Sequence, residues 1–295
     1  MAMRVLILGG AGMLGHKLCQ LFQQRFETWA TIRSNCREYE QYNIFDQDRV
    51  IGEVDATNFH CVARAMALVN PHAVINCIGI IKQLKTAKDP ITSLTINSLF
   101  PHHLANICRS SGVRMIQIST DCVFSGRKGG YTEADISDAD DLYGRTKFLG
   151  EVDSPGCLTI RTSMIGRELN SNNGLIEWFL GNRGGKVRGY KRAIYSGFTT
   201  IALANVIADV LENHPDLSGL YHVSPDPISK FGLLTLVNET YSLNINIEPD
   251  SEFVCDRSLD SSRFRRATGF TPQTWPEMIA EMYRDPTPYQ LWRKQ

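Results

Sequence analysis

The stretch Met3-Arg4-Val5-Leu6-Ile7-Leu8-Gly9-Gly10-Ala11-Gly12-Met13-Leu14-Gly15 joins an apolar run to closely spaced glycines, and a helical pattern follows from His16 to Phe26. The apolar run is typical of a buried parallel strand. Glycine permits a tight turn and lets backbone amides approach a pyrophosphate, while the next helix adds positive potential at its N-terminus. The stretch therefore predicts a dinucleotide-binding turn. The glycine spacing is G-x-x-G-x-x-G rather than G-x-G-x-x-G, so an ordinary glycine-rich turn is the alternative.

Strand-like and helical patterns alternate along the chain after this turn. Strand-like runs cover residues 28–32, 73–77, 114–118 and 158–161, and helical stretches between them cover 58–69, 93–110 and 142–152. Such alternation predicts a parallel sheet with helices on both faces. The expected class is α/β, a Rossmann-like doubly wound parallel sheet with a smaller α/β substrate lobe.

Loop signals divide the second half of the chain. Asparagines, glycines and prolines cluster there at 171–174, 184–185 and 225–227, and the amphipathic stretch 201–212 is expected to return to the sheet domain. We therefore expect a cofactor domain over 1–163 and about 197–213, and a substrate lobe over 164–196 and 214–285. The end, 286–295, is expected to be a loosely held tail.

Composition excludes several classes of protein. The formal charge of the 295 residues is zero, and arginines are not interleaved with aromatics, so nucleic acid is not an expected partner. No apolar stretch approaches the roughly 20 residues of a membrane helix. The eight cysteines are scattered without a C-x-x-C pair, and the adjacent His102 and His103 have no partner ligands. We expect a cytoplasmic protein that binds neither metal nor membrane.

Tyr143 and Lys147 are four residues apart, so a helix places both on one face. A nearby cation favours the charged form of a phenol, which lets tyrosine exchange a proton with a substrate oxygen. Ser119-Thr120-Asp121 follows the strand-like run 114–118 and would bring a hydroxyl to the end of the sheet. The alternative for the pair is a solvated helix face.

Four motifs together resemble the extended short-chain dehydrogenase/reductases of the dTDP-4-dehydrorhamnose reductase type. They are Gly9-x-x-Gly12-x-x-Gly15, Ser119-Thr120-Asp121, Tyr143-Gly144-x-x-Lys147 and Arg257-Ser258-Leu259-Asp260, and the similarity runs nearly end to end. The resemblance implies an NAD(P)H-dependent reductase of a nucleotide-diphospho-4-keto-6-deoxyhexose, in sugar-nucleotide or polysaccharide biosynthesis. A 4-epimerase that retains NAD, and a regulatory subunit that binds the cofactor without turnover, stay open. So does a homodimer, which many relatives form.

The resemblance also assigns catalytic roles. Tyr143 would protonate the alkoxide formed by hydride transfer, Thr120 would hydrogen-bond the same oxygen, and Lys147 would hold the nicotinamide ribose and tune the phenol. For Thr120 the alternative is a strand-end hydroxyl bonded to backbone.

The cofactor is expected along the carboxyl ends of the strands. Arg33 stands after the second strand where an NAD site usually has an acid, so NADPH is favoured and NADH stays open. Asp55 resembles the family's acid near the adenine amine, with a helix N-cap before Asn58 as the alternative. The expected cofactor contacts are Gly9, Gly12, Met13, Leu14, Arg33, Asp55, Asn76, Gly79, Tyr143 and Lys147.

Four residues are expected to face the sugar nucleotide: Asp121, Cys122, Lys82 and Arg257. Related 4,6-dehydratases carry an acid where Cys122 stands, so dehydration is disfavoured, and rhamnose-forming reductases usually carry tyrosine there. Lys82 would contact sugar or phosphate, unless it is simply an exposed loop lysine. Arg257 would bind the diphosphate, unless it forms an ion pair with Asp256 or Asp260.

Overall fold

The computed structural model describes residues 2–292, with Lys85 by its backbone only. Up to residue 161 the elements are β1 (Arg4–Leu8), α1 (Met13–Phe22), β2 (Glu27–Thr31), β3 (Val50–Ile51), α2 (Phe59–Val69), β4 (Ala73–Asn76), α3 (Pro90–Ser93), α4 (Phe100–Ser110), β5 (Arg114–Ile118), α5 (Leu142–Leu149) and β6 (Cys157–Arg161). Then follow β7 (Met164–Ile165), α6 (Leu175–Leu180), β8 (Lys186–Tyr195), β9 (Phe198–Thr199), α7 (Thr200–Asn213), β10 (Gly219–His222), β11 (Ile228–Ser229), α8 (Lys230–Tyr241), β12 (Asn246–Asp256), α9 (Ser262–Thr268), α10 (Trp275–Tyr283) and α11 (Tyr289–Trp292).

Seven strands form the central sheet in the order β10-β6-β5-β4-β1-β2-β3. The pairings among β1 to β6 are parallel. The order turns back at β1, so the helices that follow successive strands cover both faces. The predicted Rossmann-like α/β class is confirmed.

Apolar strands form this sheet because both of its faces are covered. Leu6 and Leu8 of β1 are fully buried and share one cluster with Val74 of β4 and with Phe100 and Leu104 of α4. Each such side chain contributes roughly 1.5–3 kcal/mol through burial. The predicted helix over 93–110 is interrupted by a π-helical segment, Leu94–Leu99, in which Asn97 accepts a hydrogen bond from Ile80 N at 2.8 Å and donates one to Ile80 O.

The chain divides into two compact units. The first comprises residues up to Ser119 with Asp141–Ile160 and Ala204–Leu220, and the second comprises Thr120–Asp140, Arg161–Leu203 and residues from Tyr221 onwards. The predicted division instead assigned 120–140 to the cofactor domain. This segment is in the second unit because Tyr131 bridges to Leu259, and Tyr131 N donates to Ser258 O at 2.9 Å.

The second unit contains a three-stranded sheet in the order β11-β8-β12 and a small pairing of β7 with β9. Strand β12 pairs in parallel with β8, with a shift of register between Asp250 and Val254. Within the expected tail one side chain is buried, since Tyr289 is 2% exposed and the Arg167 guanidinium lies 4.7 Å from its ring centre. Residues 293–295 of that expected tail lie outside the described residues. No helix between residues 2 and 292 is long and apolar enough to cross a membrane.

Candidate functional site

The glycine turn after β1 is held close to two neighbouring strands. Gly9 has a positive φ of 82°, and Gly10 N donates to Thr31 O of β2 at 2.8 Å. A Cβ at Gly9 would lie 3.1 Å from the Ile78 side chain, so the loop after β4 passes beside the turn. Helix α1 begins after Gly12 without a side-chain cap, which leaves its first amides available to an anion. This turn fits a pyrophosphate.

The other expected cofactor contacts in the first unit differ in how their side chains are engaged. Arg33 is exposed after β2. Asp55 Oδ1 accepts hydrogen bonds from Thr57 N and Thr57 Oγ1, both at 2.8 Å, while the residue that caps α2 is Asn58. The N-cap alternative for Asp55 is therefore wrong, because Asp55 caps the preceding turn.

Asn76 lies inside the sheet at the end of β4. Its amide donates to Gln117 Oε1 at 2.8 Å, and its oxygen accepts from Ile78 N at 3.1 Å. These bonds fix the start of the loop that carries Gly79. A Cβ at Gly79 would lie 3.9 Å from Lys147 Nζ, so Gly79 and Lys147 are neighbours.

Helix α5 carries the tyrosine and lysine. Asp141 caps it by accepting from Gly144 N at 2.7 Å. Tyr143 is half-buried, whereas Lys147 is buried and donates from Nζ to Ile118 O at 2.7 Å. A carbonyl at the end of β5 thus orients the ammonium, which argues against a simple solvated helix face.

Burial lowers the pKa of Lys147 to about 8, while Glu151 and Cys77 act in the opposite direction. The ammonium is held by one backbone carbonyl, and its remaining donors are suited to ribose hydroxyls. Because it is desolvated, Lys147 therefore loses its charge within the pH range in which enzymes are assayed.

We expect kcat/KM to fall as pH rises through about 8, because the charged Lys147 is then replaced by a neutral amine. The pKa of lysine in an unfolded chain is about 10.4, so between about pH 8 and this value the unfolded state binds more protons than the folded state. The free energy of unfolding therefore rises with pH over this interval, because the folded protein no longer buries a charged ammonium. Initial rates and urea unfolding, each measured from about pH 6 to 10, check both directions. Activity that is constant to the top of this range contradicts the role of the charge.

Lys82 lies beside the same helix. Its Nζ donates to Asp141 Oδ2 at 2.6 Å and lies 5.7 Å from the centre of the Tyr143 ring. The lysine is therefore more than an isolated loop cation, because it ties the loop after β4 to the residue that caps α5. The N-cap role of Asp141 was missed in the sequence, although an aspartate just before a helical pattern is its ordinary signal.

In the second unit, Thr120, Asp121 and Cys122 form one turn. Thr120 Oγ1 accepts from Cys122 N at 3.1 Å and donates to Asp121 Oδ1 at 3.1 Å. The Thr120 hydroxyl is thus bonded to a backbone amide, as the alternative for this residue expects. Asp121 is buried, and burial raises its pKa while Arg257 opposes the shift.

Arg257 holds the backbone that follows this turn. Its Nε donates to Phe124 O at 2.8 Å, its Nη2 to Ser125 O at 3.4 Å, and its Nη1 lies 3.8 Å from Cys122 Sγ. The second unit therefore brings Thr120, Asp121, Cys122 and Arg257 together, three of them predicted to face substrate and one to act in catalysis.

Comparison with known proteins identifies a family that covers nearly the whole chain and relatives that match half of it. The profile of the RmlD substrate binding domain matches residues 3–287. The chain is 32% identical over 149 residues to a dTDP-4-dehydrorhamnose reductase of Streptomyces griseus, and 31% identical over 152 residues to methionine adenosyltransferase 2 subunit beta of Mus musculus. These matches cover 50% of this chain in both cases, and 43% and 41% of the relatives, so the chain spans less than half the length of either.

A solved structure is similar over nearly the full length. It is a dTDP-4-dehydrorhamnose reductase of Bacillus anthracis in complex with NADP, with a TM-score of 0.79 and 22% identity, covering 96% of this chain and 99% of that one. At this identity the likeness establishes the shared fold.

Proposed function

Because this chain belongs to the RmlD substrate binding domain family, we propose that it is an NADPH-dependent reductase of a nucleotide-diphospho-4-keto-6-deoxyhexose. The observation that carries the proposal is the helix α5, where an oriented, buried Lys147 lies one turn from Tyr143. Turnover of a 4-keto sugar nucleotide with NADPH by the purified protein tests it. Absence of turnover with every nucleotide tried contradicts it.

The chain's own residues supply the proton and the charge stabilisation for such a reduction. When bound, NADPH supplies the hydride that reaches the keto carbon. Tyr143 gives its phenolic proton to the oxygen that becomes a hydroxyl, and the Thr120 hydroxyl exchanges its bond to Asp121 Oδ1 for a hydrogen bond to that oxygen while negative charge develops. Lys147 favours the phenolate left on Tyr143 and holds ribose hydroxyls.

The glycine turn and the strand ends are proposed to hold the cofactor. Amides of the turn carrying Gly9, Gly12, Met13 and Leu14 bind the pyrophosphate, supported by the uncapped start of α1. Asn76 acts by fixing the loop of Gly79, and Asp55 lies towards the adenine. The relative from Bacillus anthracis was crystallised with NADP, which supports the same cofactor class here.

Arg33 is proposed to select NADPH by pairing with its 2′-phosphate. We expect Arg33→Gln to weaken NADPH about tenfold or more and to leave NADH nearly unchanged, because guanidinium binds phosphate oxygens in a fork. Titration of both cofactors with parent and variant checks this. Arg37→Gln, an exposed arginine a few residues further on, is the matched control. Equal loss for both cofactors contradicts the assignment.

The sugar is proposed to lie against Asp121 and Cys122, with Arg257 towards the diphosphate and Lys82 near the sugar. The bonds of Arg257 to the Phe124 and Ser125 carbonyls support a further role in fixing this wall. Cysteine at 122 is small and offers no acid, so the wall favours reduction over dehydration and admits a sugar other than the rhamnose precursor.

Similarity to methionine adenosyltransferase 2 subunit beta favours one second candidate, a regulatory subunit that binds the cofactor without turnover. The joint presence of Thr120, Tyr143 and Lys147 favours the enzyme. The 4-epimerase alternative requires tightly retained NAD, which Arg33 disfavours. Purified protein that carries stoichiometric NAD would reverse this preference.

A further inference from the structure

The ends of three strands converge within the second unit. In the sheet β11-β8-β12, Ile228 of β11 is paired with Tyr195 of β8, and Asp256 of β12 is paired with Ile194. The residues that follow β11 and β12 along the chain are Lys230 and Arg257. Arg257 N donates to Ile194 O at 3.2 Å, and the Lys230 ammonium lies over the Tyr195 ring, so both cations lie beside the last residues of β8.

Lys230 is a half-buried lysine on which Asp121 acts as an opposite charge without forming a direct ion pair. Its ammonium lies 4.8 Å from the centre of the Tyr195 ring. Among residues 2–292 no hydrogen bond or ion pair is formed by this ammonium. Lys186 on β8, by contrast, forms an ion pair with Glu248 at 2.5 Å. Burying an ammonium without a direct ion pair or hydrogen bond is unfavourable, and a cation in such a position is a candidate ligand-binding group.

The charges around Lys230 favour an anion. Burial lowers the pKa of Lys230, and Asp121, Cys122 and Cys255 act against that shift, so all three lie within its electrostatic reach. Arg257 adds a second cation, while its guanidinium donors already serve the Phe124 and Ser125 carbonyls. Two cations thus accompany one buried carboxyl, Asp121. The excess positive charge resides on the side chain with unused donors, Lys230.

We propose that Lys230 binds an anionic oxygen of the sugar-nucleotide substrate. The inference rests on the proposed function and adds a substrate-binding residue to it. Asp121 and Cys122 directly follow Thr120, so the anion belongs to the sugar end of the substrate rather than to the nucleoside. Two groups there have the required charge, the phosphate on the anomeric carbon and a carboxylate on the sugar itself, and only the phosphate is compatible with a 6-deoxyhexose, which has a methyl group at C6.

Binding of matched probes to Lys230→Met separates these sources. Calorimetry with saturating NADP⁺ would compare UDP, UDP-glucose and UDP-glucuronate, with dTDP and dTDP-glucose as the thymidine counterparts. If the phosphate is the ligand, the variant loses about tenfold or more in affinity for every probe of the preferred nucleotide. If the carboxylate is the ligand, only UDP-glucuronate is weakened and the parent prefers it to UDP-glucose, a result that contradicts the 6-deoxyhexose of the proposed function.

Lys191→Met is the matched control, because Lys191 is on β8, is exposed and lies 5.5 Å from the Phe231 ring centre. We expect it to bind all probes like the parent. Lys230→Arg is expected to restore affinity, and Lys230→Met is expected to unfold at the parent temperature or above, because it removes a desolvated charge that has no direct ion pair.

Two results overturn the inference. One is a Lys230→Met variant that binds all probes within about twofold of the parent. The other is a Lys230→Met variant with a lowered unfolding temperature whose lost affinity Lys230→Arg does not restore, which would make the lysine structural. A parent protein that binds none of the probes contradicts the proposed function itself, and the inference with it.

Discussion

Replacing Tyr143 with phenylalanine is expected to lower kcat by about 10²- to 10⁴-fold, because the variant lacks the proton donor. Affinity for NADPH is expected to stay close to that of the parent, since the ring and the buried Lys147 both remain. Helix α5 should also remain, because its cap, Asp141, is untouched. Steady-state rates with NADPH and the best 4-keto substrate, together with a cofactor titration, measure both quantities.

Tyr283→Phe is the control for this substitution, since Tyr283 is 55% exposed and lies at the end of α10. It should turn over like the parent. Turnover by Tyr143→Phe at the parental rate would remove Tyr143 from the catalytic step.

The second large effect is expected for Gly15→Ala. A Cβ at this position would lie 2.1 Å from Gly9 O and 2.9 Å from Gly9 C, so the turn between β1 and α1 has to open. Because both obstacles are backbone atoms, no rotamer change relieves the clash. We expect a loss of about 1–3 kcal/mol or more in unfolding free energy, and a loss of NADPH binding.

Urea unfolding and an NADPH titration measure the effect of Gly15→Ala. Gly181→Ala is a suitable control, because a Cβ there would meet its nearest neighbour, Trp178 O, at an ordinary 3.4 Å. Parental stability and parental NADPH affinity in Gly15→Ala would contradict the role of the tight turn.

Features that depend on short stretches of sequence were predictable. The glycine turn, the buried strands and the spacing of Tyr143 and Lys147 follow from local rules of periodicity and backbone conformation. The predicted helix over 58–69 corresponds to α2, Phe59–Val69, whose N-cap is Asn58. The predicted strand over 114–118 is β5.

Features that depend on contacts between distant residues were not predictable in this way. The grouping of 120–140 with the second unit results from the pairing of Tyr131 with Leu259, and the burial of Tyr289 results from its contact with Arg167. Neither partner is marked by a local pattern. The π-helical segment within 93–110 depends similarly on the bonds between Asn97 and the Ile80 backbone.

The same distinction applies to the candidate site. The residue types at Thr120, Tyr143 and Lys147 carry their chemistry in the sequence, but the carbonyl of Ile118 that orients Lys147 is a property of the folded chain. Lys230 is 110 residues from Thr120 along the chain. Its importance is visible only once the ends of β8, β11 and β12 are seen together.

The proposed reaction is the reduction of a 4-keto sugar nucleotide with NADPH. The most direct measurement is the loss of NADPH absorbance when purified protein is mixed with dTDP-, UDP-, GDP- and CDP-linked 4-keto-6-deoxyhexoses. We expect rapid oxidation with one nucleotide series, dependent on Tyr143, and a product hydroxylated at C4. No oxidation with any member of the panel, by protein shown to bind NADPH, would contradict the claim.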